Sequence, residues 1–232
     1  SVTKPAEGFI ANQSEYFAPA SKFIAFNLPE AGKGELKWQA MKLYQELLGF
    51  HLNDADPAAL IDVDLQRLKF ALQIAVLPGK NDLYLEALQN LHDQYLSNPH
   101  IAGVAYEIAL EYGRRGSMYN PPESDTNRWA LKTAKEICEK TIAAFPDSDG
   151  AKNCSVYLQQ LMEKAISFKA DYANIPDRPF LASLTYKNVK TIYFRVVKFN
   201  AEDDRKLRQK ERGEKIVDKY RSLQAVREWT LE

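Results

Sequence analysis

The sequence lacks a charge excess of either sign. Lysine and arginine together number 31, and aspartate and glutamate also number 31. A nucleic-acid binder displaces counterions from phosphates and normally carries a basic excess, so nucleic acid is not an expected partner. A strongly anionic membrane surface is disfavoured on the same ground. Long apolar runs are missing too. None approaches the roughly 20 residues that span a bilayer, so no transmembrane segment is expected in this chain. No leader pattern is visible, and the chain opens at Ser1, which fits a start that was trimmed or processed.

Recognisable catalytic signatures are absent as well. The histidines are His51, His92 and His100, and none stands in the spacing of a zinc site. There is no G-x-S-x-G, P-loop or G-x-G-x-x-G. Gly113-Arg114-Arg115-Gly116 ends a helix-like segment, whereas a phosphate loop needs a strand before it. No catalytic, cofactor-binding or metal residue is assigned, and the chain is not expected to be an enzyme. The two cysteines, Cys138 and Cys154, fit either redox compartment.

What is present is ordinary globular material. The 232 residues are 45% hydrophobic and 27% charged, enough for one large or two modest domains that bury a core without staples. Residues 1–35 are irregular, but Phe9, Tyr16, Phe17, Phe23 and Phe26 make them too apolar for a disordered tail. They read as an ordered arm packed on the helices after it.

Six helices are expected over 36–172. Leu36, Ala40, Leu43, Leu47 and Phe50 recur at three and four residues, one face of a helical period, and predict a helix over 36–51. Asp56-Pro57 restarts the chain as cap and first turn, and Leu60, Leu65, Leu68 and Leu72 continue to about Val76. Pro78-Gly79 stops it, and Asp82 is read as the next cap, before Leu85, Leu88 and Leu91. Ile101, Val104, Ala105 and Ile108 mark a fourth helix. After the loop Asn120–Asp125, a fifth is expected from Thr126 or Asn127 to Ala144. The sixth is capped by Ser148 and runs to about Lys169. Short connections predict antiparallel hairpins. Ala134, Pro146 and Ala151 resemble a junction between tetratricopeptide repeats, although the period is irregular.

The pattern changes over 173–232. Ile175–Pro179 reads as a linker. Phe180, Ala182, Leu184 and Tyr186, then Ile192, Phe194 and Val196, alternate at period two and predict a β-hairpin. Residues 201–222 read as a charged helical insert, with Glu202-Asp203-Asp204 at its start complementing the helix dipole. Ala225–Leu231 reads as a third strand. Three strands leave raw edges, so open edges or a completing neighbour are expected.

Few residues invite chemistry. Asp62 and Asp64 lie two apart on one helix and point to different sides. Trp38, Trp129 and Trp229 are read as core residues, with a glycan- or peptide-binding surface as the other reading. Cys138 and Cys154 each lie eight residues from Pro146. In a hairpin they sit at similar heights, about 12 Å from the turn at 1.5 Å per residue. They are expected to be neighbours and form a candidate disulfide, worth roughly 3 kcal/mol by loop entropy. The other reading is a pair of buried thiols.

One resemblance covers this organisation. "PFLASLTYKNVKTIYFRVVKF" (Pro179–Phe199), a charged insert and "VREWTLE" (Val226–Glu232) resemble the first macroglobulin-type β domain of large bacterial alpha-2-macroglobulin-like proteins. "LYQELLGFHLNDADPAALIDVDLQRLKF" (Leu43–Phe70) and "FPDSDGAKNC" (Phe145–Cys154) resemble the helical N-terminal region of long members. The resemblance implies a mainly α fold: an arm (1–35), a TPR-like helical domain (36–172) and the start of an incomplete macroglobulin-like β-sandwich with a charged insert (173–232). It implies a cell-envelope location and a structural or interaction role in a protease trap, with the parent chain's other domains and proteases as partners. The family's bait region and thioester motif are not found in these residues. The competing expectation is a free-standing TPR-like envelope receptor for a peptide or glycan.

Overall fold

The structure, a computed structural model, describes residues 8–120, 123–171, 174–175 and 178–232. The chain divides into two units, Ser1–Leu161 and Met162–Glu232. Pro176 and Asp177 of the expected linker, Pro121 and Pro122 of the expected loop, and the residues on either side of the expected boundary at 172/173 lie outside the described residues.

The first unit is helical. A 3-10 turn (Ser14–Phe17) and a short α1 (Ala20–Ala25) precede α2 (Leu36–His51), α3 (Ala58–Ile74), α4 (Lys80–Gln94), α5 (Ile101–Ser117), α6 (Ala130–Ala144) and α7 (Asp149–Met162). From α2 to α6 each helix packs on the next. The core is centred on α3, which buries Leu60, Ile61, Leu65, Leu68, Ala71 and Ile74. Leu85, Leu88 and Leu91 of α4 and Ile101, Val104 and Ile108 of α5 meet them. Full burial of such a side chain contributes about 1.5–3 kcal/mol, so the three central helices hold the unit together. By the same measure α2, which buries only Met41 and Leu48 among its apolar residues, is an edge element.

The helix boundaries follow from local chemistry. Ser148 Oγ accepts from the Ala151 N–H at 3.1 Å and caps α7 as expected. Asp56 Oδ1 accepts from the Ala58 N–H at 3.0 Å at the start of α3. Asp82 is not a cap, because Gly79 takes a left-handed conformation (φ 69°) and lets α4 begin at Lys80, two residues earlier. Asn127, also left-handed (φ 67°), delays α6 to Ala130.

Over its described residues the N-terminal arm is docked by side chains that satisfy its backbone. Val76 donates to the Ala11 carbonyl at 2.8 Å beside a lone parallel bridge, Ala11 to Ala75. Gln45 Nε2 donates to the carbonyls of Phe23 (2.8 Å) and Phe26 (2.7 Å). Trp38 Nε1 donates to the Pro29 carbonyl at 2.8 Å, and Arg67 reaches the carbonyls of Tyr16 and Ala18. Tyr16, Phe17 and Phe23 are buried by this docking.

Burial in this unit shifts two titrations. Burial, then the Glu15 carboxylate, push the Tyr16 phenol up from 10.0 to about 12. Burial, then Glu107, push Tyr84 higher still. A folded-state pKa above the unfolded value contributes stability fully present below pH 10 and lost as pH rises toward 12. Denaturant melts of the chain should therefore hold steady up to about pH 10 and then shift to lower midpoints, with the last part of the tyrosinate absorbance, from the buried phenols, appearing in step with unfolding. A tyrosinate signal complete before any loss of helicity would contradict the docking.

The second unit carries β1 (Ala165–Ala170), β2 (Ala182–Lys187), β3 (Ile192–Val197), α8 (Ala201–Lys210), α9 (Glu214–Ser222) and β4 (Ala225–Leu231). Its strands form two separate antiparallel pairs, β1 with β2 and β3 with β4. Two expectations are corrected here. The sixth helix does not reach Lys169. Leu158, Leu161, Ala165 and Phe168 keep helical spacing, but Ile166 and Phe168 also alternate with Ser167 and Lys169, and pairing with β2 decides for the strand. Nor do the strands on either side of Asn188 form a hairpin with each other, since each finds its partner elsewhere in the chain. The charged insert is two helices, broken where Gly213 takes φ 62°.

Candidate functional site

The residues with chemical potential are dispersed. Among the described residues no group of three or more histidine, cysteine and acidic side chains could hold a metal ion. His51 Nδ1 lies 2.7 Å from Asp54 Oδ2, His92 Nδ1 lies 3.2 Å from its neighbour Asp93, and His100 precedes α5. Arg114 and Arg115 pair with the buried Glu111 at 2.6 and 3.1 Å, and Arg115 also reaches Asp82 at 2.7 Å. The Gly113–Gly116 segment thus tightens a helix end, with its arginines turned to carboxylates. In the acidic triplet, Glu202, Asp203 and Asp204 occupy the first turn of α8 behind the Asn200 cap. Asp204 is held below the usual carboxylate range by the Tyr220 hydroxyl and then by Arg208.

Asp62 and Asp64 part as the spacing requires, but the outcome is sharper than the sequence suggests. Asp64 is buried against Arg67, whose Nε and Nη2 lie 2.7 and 2.6 Å from Asp64 Oδ1. The guanidinium sits 4.5 Å over the Phe23 ring. Burial pushes the carboxyl up and the guanidinium down, each against the attraction of the other. This pair is structural: its free donors go to the arm's carbonyls.

Asp62 faces a groove of about 390 Å³, lined by Ile61 and Leu65 of α3, His100 and Gly103 at the start of α5, and Asp147, Asp149 and Gly150 at the start of α7. At the groove's edge α7 approaches α5 closely at Gly150. A Cβ there would fall 2.2 Å from the Ala102 carbonyl carbon. Ser148 lines it too, but its hydroxyl donates to the Phe145 carbonyl at 2.8 Å while capping α7, so it is not an activated nucleophile. Asp62, Asp147 and Asp149 make the groove acidic and suit it to a cationic group, with Asp149 already paired to Lys152 at 2.8 Å.

The structure brings Cys138 and Cys154 together. Both are fully buried free thiols, packed with Ala109 and Ala134 between α5, α6 and α7. The neighbouring Cys154 thiol and then burial push the Cys138 thiol up. A thiol-reactive dye should find no fast-reacting group in the native chain and two groups once it is unfolded without reductant. No titratable thiol after such unfolding would mean that the pair oxidises in solution.

The tryptophans separate. Trp38 is partly buried against the arm. Trp129, expected in the core, is 64% exposed, because α6 starts one residue after it and turns it outward. Arg128 and Lys132 lie 5.2 and 5.9 Å from its ring. Trp229 stacks on Phe194 across the β3–β4 pair, centroids 4.9 Å apart. The broadest unsatisfied surface is in the second unit. Ile192 is its one buried residue among those described, while Leu181 is 90% and Tyr193 79% exposed. Ile166, Phe168, Phe180 and Val226 are exposed as well. Among the described residues no helix is long and apolar enough to cross a membrane. No protein-family profile, curated protein or solved structure matches the chain.

Proposed function

We propose that this chain is a non-catalytic structural and interaction region of a bacterial alpha-2-macroglobulin-like protein of the cell envelope, whose whole-protein role is to trap proteases. The observation that carries the reading is the state of the second unit. Two-stranded pairs are marginal on their own, and each pair here has open edges and exposed apolar faces. Such strands are built to be completed by further protein. The resemblance of Pro179–Phe199 and Val226–Glu232 to a macroglobulin-type β domain supplies the kind of protein, namely adjoining domains of the same assembly. The helical unit then acts as the rigid support. Reading the coding sequence past the Glu232 codon tests this: further β domains are expected, and a stop codon directly there overturns the trap reading.

The second reading, a TPR-like receptor, is favoured by the acidic groove at the starts of α5 and α7. A receptor of this kind takes a lysine- or arginine-bearing peptide. Saturable binding of a basic peptide by the chain, lost in Asp62→Lys, would favour it over the trap.

A further inference from the structure

The sequence's clearest helical stripe does not face the core. Leu36, Ala40, Leu43, Leu47 and Phe50 lie on the outer side of α2, opposite the buried Met41, Gln45 and Leu48. Leu36 is 83% exposed, Leu43 55% and Phe50 78%. The spacing along this side runs four, three, four, three, which is the a/d repeat of a coiled-coil seam over two heptads. An edge helix carrying a second apolar seam, with its inner face already packed, is made to meet another helix.

We propose that the occupant is a second copy of this chain, with the two α2 helices packed antiparallel about a two-fold axis. The charges beside the seam support this orientation. Lys42 and Glu46 lie on the same flank, and in an antiparallel pair identical flanks meet. A two-fold axis near Leu43 sets Lys42 of one copy within about 3 Å along the axis of Glu46 of the other, at 1.5 Å per residue, and makes the same contact twice. It also places the small Ala40 opposite Leu47 and the terminal Leu36 opposite Phe50. A parallel pair would bring the Glu46 flank against Lys37, Tyr44 and His51 and leave Lys42 without a carboxylate. Among the described residues Glu46 has no ion pair within its own chain, and Lys42 makes only a 3.5 Å contact to Gln45, so both are available. The α2 helix has 16 residues and is about 24 Å long at 1.5 Å per residue, so the contact belongs to the small, transient class of interfaces.

Sedimentation equilibrium on the full chain tests the proposal. The mass should rise from 26.4 kDa toward twice that value between about 10 and 500 µM. Leu43→Glu should hold it at the monomer mass with unchanged circular dichroism and melting temperature, because Leu43 is outside the core. Lys42→Glu and Glu46→Lys should each weaken association about tenfold at low salt, and the double reversal should restore it. A chain that stays monomeric throughout overturns the proposal and leaves the seam to a different protein. So does a dimer that Leu43→Glu leaves intact. Charge reversals that act without mutual rescue overturn the antiparallel register.

Discussion

Replacing Arg67 by alanine should destabilise the helical unit by about 3–5 kcal/mol, the range seen when one partner of a buried ion pair is removed. Three losses combine. Asp64, buried on α3, is left as an uncompensated charge. The carbonyls of Tyr16 and Ala18, which accept from Nη1 and Nη2 at 2.8 and 3.0 Å, are left without these donors. The Phe23 ring loses the guanidinium stacked over it. Because two of the three losses concern the arm, it should release first. Amide protection at Phe23 and Phe26 should fall well before that of α4 and α5. The double variant Arg67→Met with Asp64→Leu removes both charges and should recover more than half of the loss in equilibrium urea melts. A loss under about 1 kcal/mol in Arg67→Ala, or a double variant worse than the single, would mean that the pair does not anchor the arm.

Gly150→Ala should destabilise by about 2–3 kcal/mol, at the upper end of overpacking effects, although glycine to alanine within a helix ordinarily stabilises by about 0.5–1 kcal/mol. The reversal comes from backbone meeting backbone. The new Cβ would stand 2.2 Å from the carbonyl carbon of Ala102 and 2.4 Å from the amide nitrogen of Gly103, and neither can swing away as a side chain would. The C-terminal end of α7 is less affected than its start, so the displacement should be felt at the groove. Gly103→Ala is the control. Its Cβ would meet only Leu65 Cδ2 at 3.7 Å, an ordinary contact, and it should raise the melting temperature. If both substitutions stabilise, α5 and α7 are not in contact at these residues.

Much of the architecture was legible because it is written locally. Gly79, Pro146-Asp147-Ser148 and the apolar spacing of α3, α4 and α5 each act within a few residues, and they set the number of main helices and most of their ends. The same holds for β4 and for the dense charge of α8 and α9. The cysteine pair was legible in the same way, since equal distances from one turn bring two residues to one height in any hairpin. What was not legible has a different cause. The stripe on α2 is as regular as that on α3, and periodicity reports that a face is apolar without reporting what covers it. Leu158 to Phe168 satisfies helical spacing and strand alternation at once, so only the presence of β2 as a partner decides between them.

The candidate sites divide along the same line. Sequence determined by itself that no recognised catalytic motif or metal-ligand spacing is present, because such chemistry needs particular residue types at particular intervals. It also determined that α2 has an apolar face, that 179–199 and 225–231 hold strand-forming segments and that the arm is too apolar to be free. Only the tertiary structure decided that Arg67, one charged residue among 62 in the chain, is buried under the arm, that Gly150 meets the α5 backbone at Ala102 and Gly103, and that the α2 seam faces outward. Each of these depends on contacts between residues far apart in sequence, such as Arg67 with Tyr16, or Gly150 with Ala102. Local propensity carries no information about such pairs: the backbone conformation of each residue is satisfied whether or not its partner arrives, and only the packed chain brings the two together.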